Sequence, residues 1–89
     1  MTEPAWGQNA APDGSGAHPD IRLGDYMEAC REVAARLDVP LVDHHAAWRA
    51  AAAAGQDLGE WTTDQCHPNP AGHRIMADTI LEALPDLGR

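Results

Sequence analysis

One short apolar run, Val39-Pro40-Leu41-Val42-Asp43, limits what this chain can fold into more than any other stretch. A continuous run of this length suits a strand buried on both faces of a parallel sheet, with Pro40 near its beginning or at an edge. One parallel strand leaves its own backbone N–H and C=O groups unpaired. No second run of this kind stands out in the other residues, so the strand demands a partner that hydrophobic patterning does not supply.

The rest of the pattern is helical. Leu23, Tyr26, Cys30, Val33 and Leu37 recur at three- and four-residue spacing, with Glu28, Arg31, Glu32 and Arg36 mostly opposite, which predicts an amphipathic helix opening near Asp20 or Asp25. Cys30 lies on its apolar face and reads as a core residue. His44 to Ala54 favours helix and stops at Gly55, with Trp48 as its only large apolar contact. The adjacent His44 and His45 point in different directions on a helix, so they read as polar residues at its start or rim and not as a metal pair. Residues 56–68 form a loop carrying Leu58 and Trp61. A last helix runs from about Pro70 to Leu84, with an apolar set of Ile75 or Met76, Ile80, Ala83 and Leu84, and Pro85 ends it. Residues 1–20 are broken by Pro4, Gly7, Pro12, Gly14, Gly16 and Pro19 and read as a loop or disordered lead-in.

Chemistry concentrates in Asp64-Gln-Cys-His67-Pro-Asn-Pro-Ala-Gly-His73. Residues three apart in a turn can face each other, so the Asp64 carboxylate can accept a hydrogen bond from one ring nitrogen of His67. That fixes the tautomer and leaves the other nitrogen free to take a proton from a nucleophile. Pro68 holds His67 in extended geometry, and Asn69-Pro70 is a good cap and first helical residue. Gly72 allows close helix packing, and His73, in the first helical turn, reads as structural.

Asp64-x-x-His67-Pro68-Asn69-x-x-Gly72-His73, followed by Arg74-Ile75-Met76-Ala77, resembles the last block of the SGNH hydrolases, the GDSL esterases and lipases. The resemblance implies an α/β chain that is the C-terminal fragment of a three-layer α/β/α, flavodoxin-like domain, mostly helical as given. Residues 1–20 would be the lead-in and 21–89 the C-terminal portion of that domain. Met1-Thr2-Glu3-Pro4 then looks like the end of a central strand, with Trp6 and Asn9 toward the substrate. The implied catalytic residues are Asp64 and His67, the substrate is a small ester, and no cofactor or metal is called for.

A triad also needs a nucleophile. The only serine, Ser15, lies in Pro12-Asp13-Gly14-Ser15-Gly16 with no strand leading to it, and reads as a loop residue. The family's early Gly-Asp-Ser block, its glycine block and its Gly-x-Asn-Asp block are absent. Loss of a single oxyanion donor alone costs about 100-fold or more in rate. The expectation is a chain that supplies the Asp/His pair of a serine ester hydrolase, is inactive alone, and partners a complementing N-terminal half or itself. The alternative is a small zinc- or partner-binding module built on Asp64, Cys66, His67 and His73, though no paired ligand unit occurs. Cys66 reads, in order, as a packed thiol, half of a bridge to Cys30, or a metal ligand.

Composition narrows the rest. A net charge of -8 from six Arg, no Lys and fourteen acidic residues excludes a nucleic-acid footprint. The 44% hydrophobic content is inflated by alanine, with residues 50–54 all Ala and no Phe, so the core of 89 residues should be thin. No apolar run approaches the roughly 20 residues that span a bilayer. As given, the chain reads as cytoplasmic; an upstream segment carrying a secretion signal would change that.

Overall fold

The structure, a computed structural model, describes residues 1–84. Helix α1 spans Pro19–Leu37, α2 spans His44–Ala53 and α3 spans Pro70–Ala83, with a 3-10 turn at Leu58–Trp61 between the last two. The extended run before α2 finds its partner at the start of the chain: Thr2 and Asp43 form a parallel bridge, and the Thr2 N–H donates to the Val42 carbonyl at 2.9 Å. Strand-end character at residues 1–4 is thus present, but pairing among the described residues stops at that one parallel bridge. Burial on both faces does not hold for the run. Val42 is buried while Val39 is 50% exposed, because the described chain sets no layer against the outer part of the run.

Asp43 ties this junction together. Its carboxylate takes a two-pronged hydrogen bond from Arg31 of α1, Nε to Oδ2 at 2.6 Å and Nη2 to Oδ1 at 3.1 Å. It also accepts the Thr2 hydroxyl at 2.8 Å and caps α2 through the Ala46 N–H at 3.0 Å. The Arg31 guanidinium, more than any other neighbour, holds the Asp43 carboxyl well below the usual carboxylate range.

Helix α1 starts at Pro19, at the earlier of the two expected openings, near Asp20, though Asp20 is not its cap. His18 is the cap, its Nδ1 accepting the Asp20 N–H at 3.1 Å, and Pro19 occupies the first turn. Asp20 is a buried anchor: its carboxylate accepts the Trp6 N–H at 2.8 Å and lies 3.4 Å from Arg49 Nη1. The helix ends at Asp38 in left-handed geometry, φ 52°. Its apolar stripe is largely uncovered. Tyr26, Val33 and Leu37 are exposed, and Cys30, expected in the core, is half-buried along a trough of about 470 Å³ shared with Met1, Val39 and Leu41.

The core lies on the other side, where Ala5, Trp48 and Leu58 are buried and Trp61, Ile75 and Met76 pack against them. Trp48 is fully enclosed, with the Trp61 ring edge-on at a centroid distance of 5.2 Å and 71°. The first eighteen residues carry no helix, yet buried Thr2, Ala5 and Gly7 tie them down. His44 and His45 correct the expectation of a polar rim: both are buried. Helix α2 begins at the bridge itself, so its first turn is driven beneath the N-terminal segment. His44 Nε2 lies 3.2 Å from Met1 Sδ, and the His45 N–H donates to Thr2 Oγ1 at 3.0 Å. Burial lowers the pKa of both rings.

Helix α3 is capped by Asn69, whose Oδ1 accepts the Gly72 N–H at 2.9 Å, with Pro70 in its first turn. Gly72 is where this helix meets the core. A Cβ there would drive into the Trp61 carbonyl and crowd Pro68 and Trp48. The expected stop at Pro85 lies outside the described residues.

Candidate active site

The segment between the 3-10 turn and α3 is a closed loop. Thr62 and Pro68 form an antiparallel bridge, the Asn69 N–H donates to the Trp61 carbonyl at 2.9 Å, and the Thr63 N–H to the His67 carbonyl at 2.8 Å. The Asn69 amide bonds back to the Glu60 carbonyl at 2.9 Å and the Thr62 carbonyl at 3.3 Å. Trp61, at the root of this short hairpin, packs against the buried core of Ala5, Trp48 and Leu58.

Asp64 and His67 meet inside the loop. Asp64 Oδ1 accepts the N–H groups of Cys66 at 3.1 Å and His67 at 2.8 Å, and Oδ2 lies 2.7 Å from His67 Nδ1. The His67 backbone N–H, followed by its ring, draws the Asp64 carboxyl down to about 2, so it is ionised at neutral pH. An ionised carboxylate only accepts, so Nδ1 carries a proton, and whenever the ring is neutral it is Nε2 that presents the lone pair. Both side chains are open to solvent, His67 at 76% exposure and Asp64 at 53%. Chemically, the pair is a base with its tautomer set.

The other candidates are distributed differently. His73 stands exposed on the first turn of α3, its backbone N–H bonded to the Asn69 carbonyl at 2.8 Å. Cys66 is half-buried and, like Cys30, a free thiol; burial pushes its pKa up. Asp64, Cys66, His67 and His73 do not form a metal cage: among the described residues no group of three or more His, Cys, Asp or Glu is placed to hold an ion. Ser15 is spoken for locally, its hydroxyl donating to Asp13 Oδ1 at 2.5 Å in an exposed turn. Of the two lead-in residues expected near substrate, Asn9 lies against the loop, its N–H donating to Gln65 Oε1 at 3.2 Å. Trp6 lines a separate cavity of about 380 Å³ with Gln8, His18, Asp20, Arg49 and Leu58.

The motif reading passed over Gln65, which holds the loop to its surroundings. Its N–H donates to Thr62 Oγ1 at 3.1 Å, its carbonyl accepts the Gly7 N–H at 2.8 Å, and its backbone is left-handed, φ 70°. Nothing in a glutamine between an aspartate and a cysteine advertises this, because two of its three partners, Gly7 and Asn9, lie more than fifty residues upstream.

Among the described residues no helix is long and apolar enough to cross a membrane. No curated protein and no solved structure matches the chain. A family model does match, over residues 2–75, a span that includes the lead-in, both halves of the parallel bridge, and the Asp64–His67 loop with the start of α3. With most of its length in that match, the chain belongs to the GDSL-like lipase/acylhydrolase family.

Proposed function

We propose that Asp64 and His67 are the acid–base pair of a serine ester hydrolase, and that the chain supplies this pair to a serine borne on further polypeptide. The observation that carries the reading is the 2.7 Å contact between Asp64 Oδ2 and His67 Nδ1, with Nε2 left open. Family membership supports an esterase- or lipase-type hydrolase, and acyl hydrolysis is the reaction this reading assigns.

In this reading His67 Nε2 removes the serine hydroxyl proton as the oxygen attacks the ester carbonyl. Asp64 keeps the ring oriented and stabilises the imidazolium that forms. The same nitrogen then protonates the departing alcohol. Water, deprotonated in turn by Nε2, attacks the acyl-serine, and the acid leaves as His67 returns the proton to the serine. Ser15 takes no part, since its hydroxyl is committed to Asp13. Two observations on the described residues support a need for further polypeptide: parallel pairing among them is limited to Thr2 and Asp43, and none of them covers the trough beside Tyr26, Val33 and Val39. Residues 21–89 are accordingly read as the C-terminal portion of the hydrolase domain, led in by residues 1–20, with a three-layer arrangement completed outside the described chain.

The test uses the natural polypeptide that carries these residues, assayed on p-nitrophenyl acetate and with a fluorophosphonate that labels activated serines. His67→Ala should cut turnover by about 1,000-fold or more and abolish labelling while the circular dichroism spectrum is unchanged. Near-normal turnover in that variant rejects the assignment. The 89-residue chain by itself should show no labelling.

A further inference from the structure

The Asp64–His67 pair poses a mechanical problem. Both side chains are mostly in water, so little packing restrains them, and an exposed ion pair of this kind ordinarily contributes little order. Orientation must come from the turn that joins them. Of its two inner residues, Cys66 gives the turn one internal bond, its N–H to Asp64. Gln65 is bound at its backbone N–H, its carbonyl and its side-chain oxygen, each time to something outside the turn.

Its backbone N–H reaches Thr62 Oγ1, its carbonyl accepts Gly7 N–H, and its side-chain Oε1 accepts Asn9 N–H. The side chain lies in a slot whose two walls are glycines. A Cβ on Gly7 would overlap the Gln65 carboxamide oxygen and carbon, and a Cβ on Gly59 would crowd its nitrogen. Gly7 is buried and its φ is not in the left-handed region, and a side chain there would have to displace the Gln65 carboxamide. Meanwhile Gln65 holds φ 70°, a conformation that is unfavourable for a residue with a Cβ and persists where surrounding contacts over-determine it. The residue between acid and base is therefore held by three bonds and a two-sided slot.

We propose that Gln65 is the positioning residue of the Asp64–His67 pair. It pins the turn to the 7–9 loop and to the end of the 3-10 turn, so that Asp64 Oδ2 stays on His67 Nδ1 and Nε2 keeps one direction. The catalytic value of that direction rests on the reading of Asp64 and His67 given above; the positioning itself does not. One consequence is that the lead-in loop controls the base from a distance, since Gly7 and Asn9 hold the far side of the clamp.

The test reads the His67 ring directly in the full chain, by long-range 1H–15N spectra and the exchange rate of the Nδ1 proton at neutral pH. Wild type should show one ring form, protonated on Nδ1, with slow exchange. Gln65→Gly accepts the left-handed backbone and keeps both backbone bonds, but it loses the side-chain bond to Asn9 and leaves the slot between Gly7 and Gly59 empty. Gly7→Ala leaves residue 65 intact and fills its slot. Both should give mixed ring forms and Nδ1 exchange faster by about tenfold or more, while Gln65→Asn, which tolerates this backbone but is too short for the slot, should resemble Gln65→Gly. A wild-type ring signature in Gln65→Gly or in Gly7→Ala overturns the proposal. If both variants unfold, Gln65 supports the fold as a whole and the proposal is equally overturned. In the natural polypeptide, Gln65→Gly should lower kcat with KM little changed. If His67→Ala keeps esterase activity while Gln65→Gly scrambles the ring signature, positioning stands and the hydrolase assignment fails. If His67→Ala is inactive and Gln65→Gly leaves the signature untouched, the assignment stands and the positioning fails.

Discussion

Replacing a glycine inside a helix by alanine ordinarily stabilises, by up to about 1 kcal/mol, because alanine gives up less backbone freedom on folding. This chain offers two such glycines with opposite surroundings. Gly24 in α1 has nothing within 4 Å of an added Cβ, so Gly24→Ala should gain nearly all of that. Gly72 in α3 faces the Trp61 carbonyl, a backbone atom that cannot swing aside, with Pro68 Cβ and Trp48 Cη2 each 3.2 Å from the added carbon. That carbonyl also accepts the Asn69 N–H that closes the Asp64–His67 loop. Overpacking of this kind costs about 1–3 kcal/mol, and weakening the hydrogen bond about 1 kcal/mol more. Set against a propensity gain of about 1 kcal/mol at most, Gly72→Ala should lose roughly 1–3 kcal/mol. For a chain of this size that is a Tm lower by about 4–8 °C per kcal/mol, with Gly24→Ala a few degrees above wild type. Thermal and urea unfolding followed at 222 nm measures both. A Gly72→Ala chain as stable as wild type, or two variants that shift in the same direction, refutes the claim that α3 is docked through backbone contact at Gly72.

Two further outcomes follow from the junction under the N-terminal segment. His44 and His45 have pKa values lowered by burial, so below the unfolded value of 6.5 the unfolded chain binds protons that the folded chain resists. Stability should therefore be fullest above pH 6.5 and fall as the pH drops from 6.5 toward 5. A Tm that is flat between pH 7.5 and 5.5, or a fall unchanged in both His44→Gln and His45→Gln, would contradict it. Asp43→Asn keeps the α2 cap but removes the charge that Arg31 grips, at a cost of about 1–2 kcal/mol; Asp43→Ala also loses the cap and should cost about 1 kcal/mol more. Equal losses in the two variants, by urea midpoint, would show that the cap contributes nothing.

Local chemistry was legible in the residues themselves; what depended on distant partners was not. The Asp64–His67 contact, the Asn69 cap, the Pro70 start and the tight fit at Gly72 are all set within four residues, or by a glycine whose absent side chain marks an approach. His44 and His45 misled because adjacency on a helix says where side chains point, not what lies over them; the covering segment is residues 1–2, joined by a single bridge. The stripe from Tyr26 to Leu37 was recognised as apolar, but periodicity cannot reveal whether a second surface is present to cover it. Gln65 was invisible for the same reason, since its clamp is Gly7, Asn9 and Gly59.

The arrangement separates two kinds of order. The hairpin from Trp61 to Asn69 is held by the core of Ala5, Trp48 and Leu58 and by its own hydrogen bonds, and none of these contacts requires the uncovered trough at Met1, Tyr26 and Val39. The acid–base geometry is therefore complete within the described residues, while the exposed apolar stripe and the single parallel bridge leave the layer around the junction open. In the proposed hydrolase the base is oriented before any nucleophile arrives, so docking of a serine-bearing segment would have to place one hydroxyl against Nε2 and need not build the pair. That would lower the ordering cost at the moment of assembly and put the specificity of the reaction into how that segment seats.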